Sequence, residues 1–243
     1  MYYIIMASST FLSVVRQAGL RSVAGLVGTL VLVPAFFFLA AGRLDLWQGW
    51  ALALVTTMGL AGSRVLLIRR NPNLALERAR AGDKAGVKGW DRVLMPLSML
   101  FYMPVTWIVA GLDLRWGWSP APRLDIQLVA LLFLALGYIL AIWAMLENAF
   151  FSTYVRIQTE RDHHVVSTGP YAWIRHPGYA GGVLSGLATP LLLGSLWALL
   201  PALVGIAVLV ARTALEDRTL RAELPGYAGY TRLVRFRLIP GIW

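Results

Sequence analysis

The sequence predicts an all-α integral membrane protein with about six transmembrane helices, the last two of which form a hairpin. Hydrophobic residues make up 58% of the 243 residues and charged residues only 14%, which is more apolar than a soluble domain needs to be. Several windows reach the roughly 20 apolar residues that a helix needs to cross the hydrocarbon core. The third observation is the distribution of basic residues, which differs between alternate loops.

Six apolar windows are long enough, or nearly long enough, to span a bilayer. In chain order they cover residues 22–41, 48–68, 93–111, 126–147, 178–193 and 196–215. The fifth is the shortest, so this helix is expected to tilt little or to lie beside a bent partner. Only Gly194 and Ser195 separate it from the sixth, and so short a connection predicts a tight antiparallel hairpin.

The basic residues predict an orientation. Six spans place both termini, the second loop and the fourth loop on one side, and the opposite loops hold only Arg43, Arg115 and Arg123 of the 22 Lys and Arg residues. The positive-inside rule therefore predicts cytoplasmic termini in a multi-pass protein of the inner or plasma membrane. Topology and contact with anionic membrane lipids account for the net charge of +10, and no nucleic-acid partner is expected.

Three segments between the spans have patterns of their own. Residues 74–80 favour a short amphipathic helix in a polar loop. The loop 113–122 carries Trp116 and Trp118, as is typical of a membrane interface, and is assigned no chemistry. Residues 148–158 alternate weakly between apolar and polar, which predicts either a short strand or an interfacial segment.

Polar residues of two distant segments are expected to meet at the cytoplasmic end of the hairpin. Pro177 suits the first turn of the fifth helix, so Arg175 and His176 lie just before a helix N-terminus, where an anionic ligand group is favoured. The hairpin returns the chain to this side, and it therefore brings Glu216 and Asp217 near them.

The sequence gives no support for a metal site. Without cysteine there are no disulfides, no thiolate ligands and no cysteine nucleophile. His163, His164 and His176 remain as candidate ligands, but adjacent histidines do not easily share one metal and no carboxylate pair lies at helical spacing from them. We expect no metal.

The C-terminal part of the chain resembles the isoprenylcysteine carboxyl methyltransferase family, a group related to the membrane phospholipid methyltransferases. The resemblance runs over roughly residues 148–243 and has several ordered parts. These are Gly169-Pro170-Tyr171, Arg175-His176-Pro177 with Tyr179 and Gly181, Arg212 with Glu216, Asp217 and Leu220, Tyr227 with Tyr230, and Ile239-Pro240. Residues 125–243 would then form the methyltransferase core, and residues 1–124 an N-terminal unit of three helices.

The resemblance implies a cofactor, S-adenosylmethionine, bound at the cytosolic face beside the hairpin. Glu216 would meet the cofactor's amino group, and Asp217 stands where the family usually has a second glutamate. Tyr227 would lie against the adenine or the sulfonium cation. The other residues carried over by the resemblance shape the opposite side of the site: Gly169, Tyr171, Arg175, His176, Pro177, Tyr179 and Gly181. Arg175, His176 and Glu216 are implied to be the catalytic residues.

The methyl acceptor is expected to be a lipophilic or small carboxylate or thiol that enters from the bilayer. A prenylated cysteine carboxylate, a phospholipid amine and a small thiol all stay open. Two other functions also remain. Membrane double-bond reductases that act on sterol-like lipids with NADPH carry a similar Arg-His-Pro-x-Tyr element, and a non-enzymatic scaffold or carrier would need neither cofactor.

Overall fold

The computed structural model describes residues 28, 31, 32, 34–79 and 86–243. Residues 22–27, 29, 30 and 33 of the predicted first span, and residues 80–85 of the polar loop, lie outside the described residues. Helix α1 is described over 34–41. The helices that follow are α2 (Trp47–Arg70), α3 (Pro72–Ala79), α4 (Asp91–Leu100), α5 (Thr106–Trp116), α6 (Leu124–Glu147), α7 (Pro177–Leu193), α8 (Leu199–Glu223) and α9 (Tyr227–Leu233).

The protein is all-helical over the described residues, with no strand, which confirms the predicted class. Within the part of the chain that the structure describes, four helices are long and apolar enough to cross a membrane: Trp47–Arg70, Asp91–Trp116, Leu124–Glu147 and Leu199–Glu223. The chain is therefore an integral membrane protein. Helix α7 has 17 residues and is shorter than these four, so the count of six spans stays a prediction.

The span Asp91–Trp116 contains a π-helical turn, Phe101–Val105, between α4 and α5. Pro104 lies in this turn and cannot donate a backbone hydrogen bond, which favours a local departure from α geometry. The turn packs against both later helices. Tyr102 donates its hydroxyl to the carbonyl oxygen of Gly182 on α7, and a Cβ on Gly205 of α8 would lie 2.9 Å from the backbone nitrogen of Tyr102.

Helices α6 and α7 approach closely through small residues. A Cβ on Gly137 would lie 2.6 Å from the carbonyl oxygen of Gly181, and a Cβ on Gly181 would lie 2.5 Å from that of Gly137. Small residues allow such backbone contact between helices within a membrane, where dispersion forces hold the helices together. This contact sets the position of the N-terminal end of α7 against α6.

The turn between α7 and α8 is longer than predicted. Gly194 ends α7 with a φ of 77°, which a glycine adopts without strain, and α8 begins only at Leu199. Buried Asp113 at the end of α5 accepts hydrogen bonds from the hydroxyl of Ser119 (2.6 Å) and from that of Ser195. The loop 113–122, for which no chemistry was predicted, therefore anchors the turn between α7 and α8.

Candidate active site

A cavity of about 290 Å³ lies where α4, α7, α8 and the loop after α6 meet. Of the predicted site residues, Tyr171, Arg175, His176, Tyr179 and Glu216 line it. The other predicted residues lie outside its lining: Gly169, Pro177, Gly181, Asp217 and Tyr227. The structure thus brings the segment around Arg175 and His176 next to Glu216, as predicted. The predicted residues divide into a cavity wall and a layer that supports it.

The N-terminal end of α7 is bound through the backbone to the C-terminal tail, residues 224–243 after α8. Arg175 and His176 donate their N–H groups to the carbonyl oxygens of Phe236 and Arg237, each at 2.9 Å. His176 is the N-cap residue and Pro177 occupies the first turn, where its missing N–H costs nothing. The tail therefore holds both predicted residues in place.

Arg175 directs its guanidinium to the protein. Its Nε donates to Oδ1 of Asp217 at 2.7 Å, and its Nη1 donates to the carbonyl oxygens of Val234 and Arg235 at 2.8 and 2.7 Å. Both members of the ion pair are buried, with side-chain exposures of 2% and 1%. Arg175 thus contributes to the cavity wall while its hydrogen bonds hold the tail to α8.

Asp217 has further partners in the tail and on α8 itself. Tyr227 donates its hydroxyl to Asp217 at 3.1 Å, and Arg237 and Arg221 lie 3.0 and 3.2 Å from its Oδ2. Burial, followed by the nearby Asp217 carboxylate, raises the pKa of Tyr227, so the phenol keeps the proton that it donates. We call Arg175, Asp217, Tyr227 and Arg237 the tail latch.

Glu216 faces the cavity from the neighbouring position on α8. It is the only carboxylate among the described residues that line the cavity, and Tyr179 donates its hydroxyl to Oε2 at 2.5 Å. The Tyr179 ring stacks with the His176 ring at 5.8 Å between centroids, and the guanidinium carbon of Arg212 lies 5.1 Å from the Tyr179 ring centroid. The acidic group is therefore held at a defined place beside cationic and aromatic neighbours.

Tyr171 forms part of the wall near the end of α6. Its hydroxyl accepts a hydrogen bond from Asn148 and donates to the carbonyl oxygen of Ala144, both at 3.3 Å. Tyr230 donates to the Tyr171 carbonyl oxygen at 2.6 Å. Burial raises the pKa of Tyr171. This tyrosine therefore presents a neutral aromatic surface with a fixed orientation.

Residues 129–222 match the model of the isoprenylcysteine carboxyl methyltransferase (ICMT) family. Over these residues the chain is similar to the ICMT family. A stretch of 70 residues is 41% identical to the protein-S-isoprenylcysteine O-methyltransferase of Schizosaccharomyces pombe and covers 28% of this chain and 30% of that protein. The chain thus matches about a third of the length of this curated relative.

A solved ICMT structure is also similar. The eukaryotic intramembrane Ras methyltransferase ICMT, determined without a monobody, aligns with 98% of this chain and 93% of its own, at 19% identity and a TM-score of 0.45. The stretch matched by the family model contains the five predicted residues that line the cavity. Tyr227 and the remainder of the tail lie beyond it.

The cavity includes a loop that the sequence did not assign to it. Residues Phe150 to Arg156 line the cavity, and the strand predicted within 148–158 is wrong, because side chains satisfy the loop backbone instead of a sheet partner. Asn148 accepts from the N–H of Phe150 at 2.8 Å, and buried Gln158 donates to the Phe150 carbonyl oxygen at 2.8 Å. The Phe150-Phe151 pair shortly after α6 was the sequence signal available for this loop.

His163 packs against the loop that lines the cavity. The His163 ring stacks on Phe150 at 4.4 Å between centroids, and burial, aided by the positive charges of His164, Arg161 and Arg156, lowers the pKa of His163 to about 4. Among the described residues, no three His, Cys, Asp or Glu side chains are placed to hold a metal ion.

Proposed function

We propose that this protein is an integral membrane methyltransferase that uses S-adenosylmethionine. The observation that supports this best is a single cavity, built largely by the segment that matches the ICMT family, in which Glu216 faces the N-terminal end of α7. The carboxylate suits the ammonium group of the cofactor. The helix N-terminus with His176 suits its carboxylate, because the helix dipole is positive there.

The lining of the cavity fits the rest of this cofactor. Tyr171, Tyr179 and Phe150 place aromatic rings in the wall, and such rings attract a sulfonium cation and pack against adenine. When bound, S-adenosylmethionine supplies an electrophilic methyl group. The tasks that remain for the protein are to align the methyl donor with the acceptor and to exclude water, and a preorganised site performs both well.

The residues of the site divide these tasks. Tyr179 holds Glu216 by a hydrogen bond, so the carboxylate is oriented in advance. Arg175 supports the wall through the tail latch, since its guanidinium donates to Asp217 and to tail carbonyl oxygens. We therefore assign Arg175 and Asp217 to the framework of the site, and Glu216 and His176 to direct contact with the cofactor.

The acceptor is proposed to be lipophilic. Met95 and Met99 of α4 and Leu220 of α8 line the cavity, and both helices belong to membrane-spanning segments. An apolar wall built by such helices suits an acceptor that arrives from the bilayer. An acceptor of the isoprenylcysteine class, for which the S. pombe relative is named, ends in a carboxylate, which attacks a methyl group without a general base.

A thermal-shift experiment tests the function. The purified protein in detergent is heated with S-adenosylhomocysteine, with NADPH or with neither. Stabilisation by S-adenosylhomocysteine is expected, because a ligand that binds only the folded state raises Tm. Glu216→Gln should lose this shift, whereas Glu223→Gln should keep it, because Glu223 lies on the same helix and pairs with Lys88. Stabilisation by NADPH would favour a reductase, and stabilisation by neither a scaffold or carrier.

The site and both termini are proposed to be cytoplasmic on the basis of the positive-inside rule. Since the chain contains no cysteine, single cysteines report on topology directly. Arg123→Cys and Arg232→Cys place exposed thiols at opposite ends of the helices. A maleimide that does not cross membranes should label Arg123→Cys in intact cells, and Arg232→Cys only after permeabilisation. The reverse pattern would contradict the orientation.

A further inference from the structure

Asp91 at the start of α4 and Arg212 on α8 form a buried ion pair beside the cavity. Arg212 Nε donates to Oδ1 of Asp91 at 2.6 Å, and Arg212 Nη2 donates to Oδ2 at 3.1 Å. The side-chain exposures are 0% for Asp91 and 6% for Arg212. Asp91 begins α4 and lies outside the stretch that matches the family. The pair therefore joins the N-terminal half of the chain to the matched core.

The same pair holds the loop 150–156, which lines the cavity. The N–H of Val155 donates to Oδ2 of Asp91 at 2.7 Å, and Arg212 Nη2 donates to the carbonyl oxygen of Thr153 at 2.8 Å. Lys88, just before α4, donates its own N–H to the Val155 carbonyl oxygen at 3.1 Å. Three hydrogen bonds thus attach residues 153–155 to the start of α4 and to α8.

The pair also reaches the acidic group of the site. Arg212 lies over the ring of Tyr179, and Tyr179 donates to Glu216. Arg212 lines the cavity, whereas Asp91 does not. A movement of Arg212 would therefore change both the loop wall and the support of the Glu216 carboxylate.

We propose that Asp91 is a positioning residue of the methyl-donor site, which it shapes by holding Arg212 and the loop 153–155. This inference rests on the proposed function. It gives the N-terminal half of the chain a role in shaping the site, because Asp91 lies outside the matched stretch. Because displacement of a reacting group by about 1 Å can cost roughly a hundredfold in rate, loss of this support should affect ligand affinity and turnover beyond its effect on stability.

The test compares two aspartates of one membrane span. Asp91→Asn removes the charge that holds Arg212, and Asp113→Asn is the control, because Asp113 is equally buried on the same span but binds Ser119 and Ser195 at the other end. The dissociation constant of S-adenosylhomocysteine is measured at a temperature where every variant is folded. Amide hydrogen exchange of the peptide 149–157 is measured without ligand.

Both variants are expected to have a lower Tm than the unmodified protein. Only Asp91→Asn should weaken binding of S-adenosylhomocysteine, by about tenfold or more, and accelerate exchange in 149–157. Asp91→Glu, which keeps the charge and moves the carboxylate by one methylene, should give an intermediate affinity. If Asp91→Asn does not fold, Asp91→Glu is compared with Asp113→Asn in the same way.

Two results separate the possible failures. Equal affinities of the Asp91 and Asp113 variants would overturn the positioning role while leaving the proposed function intact. An unmodified protein that does not bind S-adenosylhomocysteine would contradict the proposed function, and the positioning role with it.

Discussion

Arg175 and Asp217 form a buried ion pair, with the guanidinium Nε 2.7 Å from the carboxylate Oδ1. The two residues come from the N-terminal end of α7 and the C-terminal part of α8, 42 positions apart. Arg175 also donates to two carbonyl oxygens of the tail. The pair therefore connects three segments of the chain directly behind the cavity.

Asp217→Asn should strongly destabilise the protein. The substitution leaves Arg175 buried without its counter-ion and weakens the contacts of Arg237 and Tyr227. Removing one member of a buried pair typically costs about 3–5 kcal/mol, so the Tm measured in detergent should fall markedly. Asp45→Asn is the control, because Asp45 pairs with Arg43 on the exposed surface. An equal, small change in both variants would show that the tail latch does not stabilise the fold.

Tyr179→Phe should weaken cofactor binding with little loss of stability. The variant keeps the ring between His176 and Arg212 but removes the hydroxyl that orients Glu216. Hydrogen bonds to charged groups contribute roughly 1.5–3 kcal/mol, so affinity for S-adenosylhomocysteine should fall about tenfold or more. Tyr102→Phe loses a comparable hydroxyl contact, to the Gly182 carbonyl oxygen, away from the cavity. Its affinity should match that of the unmodified protein, and a similar loss in both would contradict the role of Tyr179.

The sequence predicted the helices well where apolar length decides them. The predicted windows 48–68 and 126–147 agree closely with Trp47–Arg70 and Leu124–Glu147. The sixth window ended at 215, whereas α8 continues to Glu223, because its polar residues are paired within the fold. Arg212 binds Asp91 and Asp217 binds Arg175, so these charges are compatible with a long helix. A hydropathy window does not register such pairing.

The candidate site was predictable where the hairpin alone determines proximity. The short α7–α8 connection places Glu216 near His176 and Tyr179, and all three line the cavity. Asp91 and the loop 150–156 were not predicted, since the Asp91–Arg212 pair joins residues 121 positions apart and leaves no local pattern. The framework role of Asp217 likewise depends on tail residues whose distance in space cannot be obtained from spacing along the chain.

Gly181→Ala should destabilise the α6–α7 contact. The added Cβ would lie 2.5 Å from the Gly137 carbonyl oxygen and 3.0 Å from the Ala141 nitrogen, and backbone atoms cannot move away as a flexible side chain can. Overpacking typically costs about 1–3 kcal/mol, which a lower Tm should report. Gly62→Ala in α2 is the control, since its Cβ would meet nothing within 4 Å, and alanine is the better helix former. A Tm unchanged by Gly181→Ala would contradict close packing at this point.

His163 should make the stability of the loop around the cavity depend on pH. Burial, with the charges of His164, Arg161 and Arg156, lowers the pKa of His163 from 6.5 to about 4, and Glu160 opposes this shift. The unfolded chain binds a proton near pH 6.5 that the folded protein does not bind until about pH 4. The free energy of unfolding should therefore fall as the pH is lowered from about 6.5 to about 4. Above this window the contribution of neutral His163 to stability is complete.

Thermal unfolding between pH 4 and 8 measures the effect. His163→Phe keeps an aromatic ring against Phe150 but cannot titrate, so its Tm should fall less steeply between pH 6.5 and 4. Equal slopes for the two proteins would show that another group is responsible.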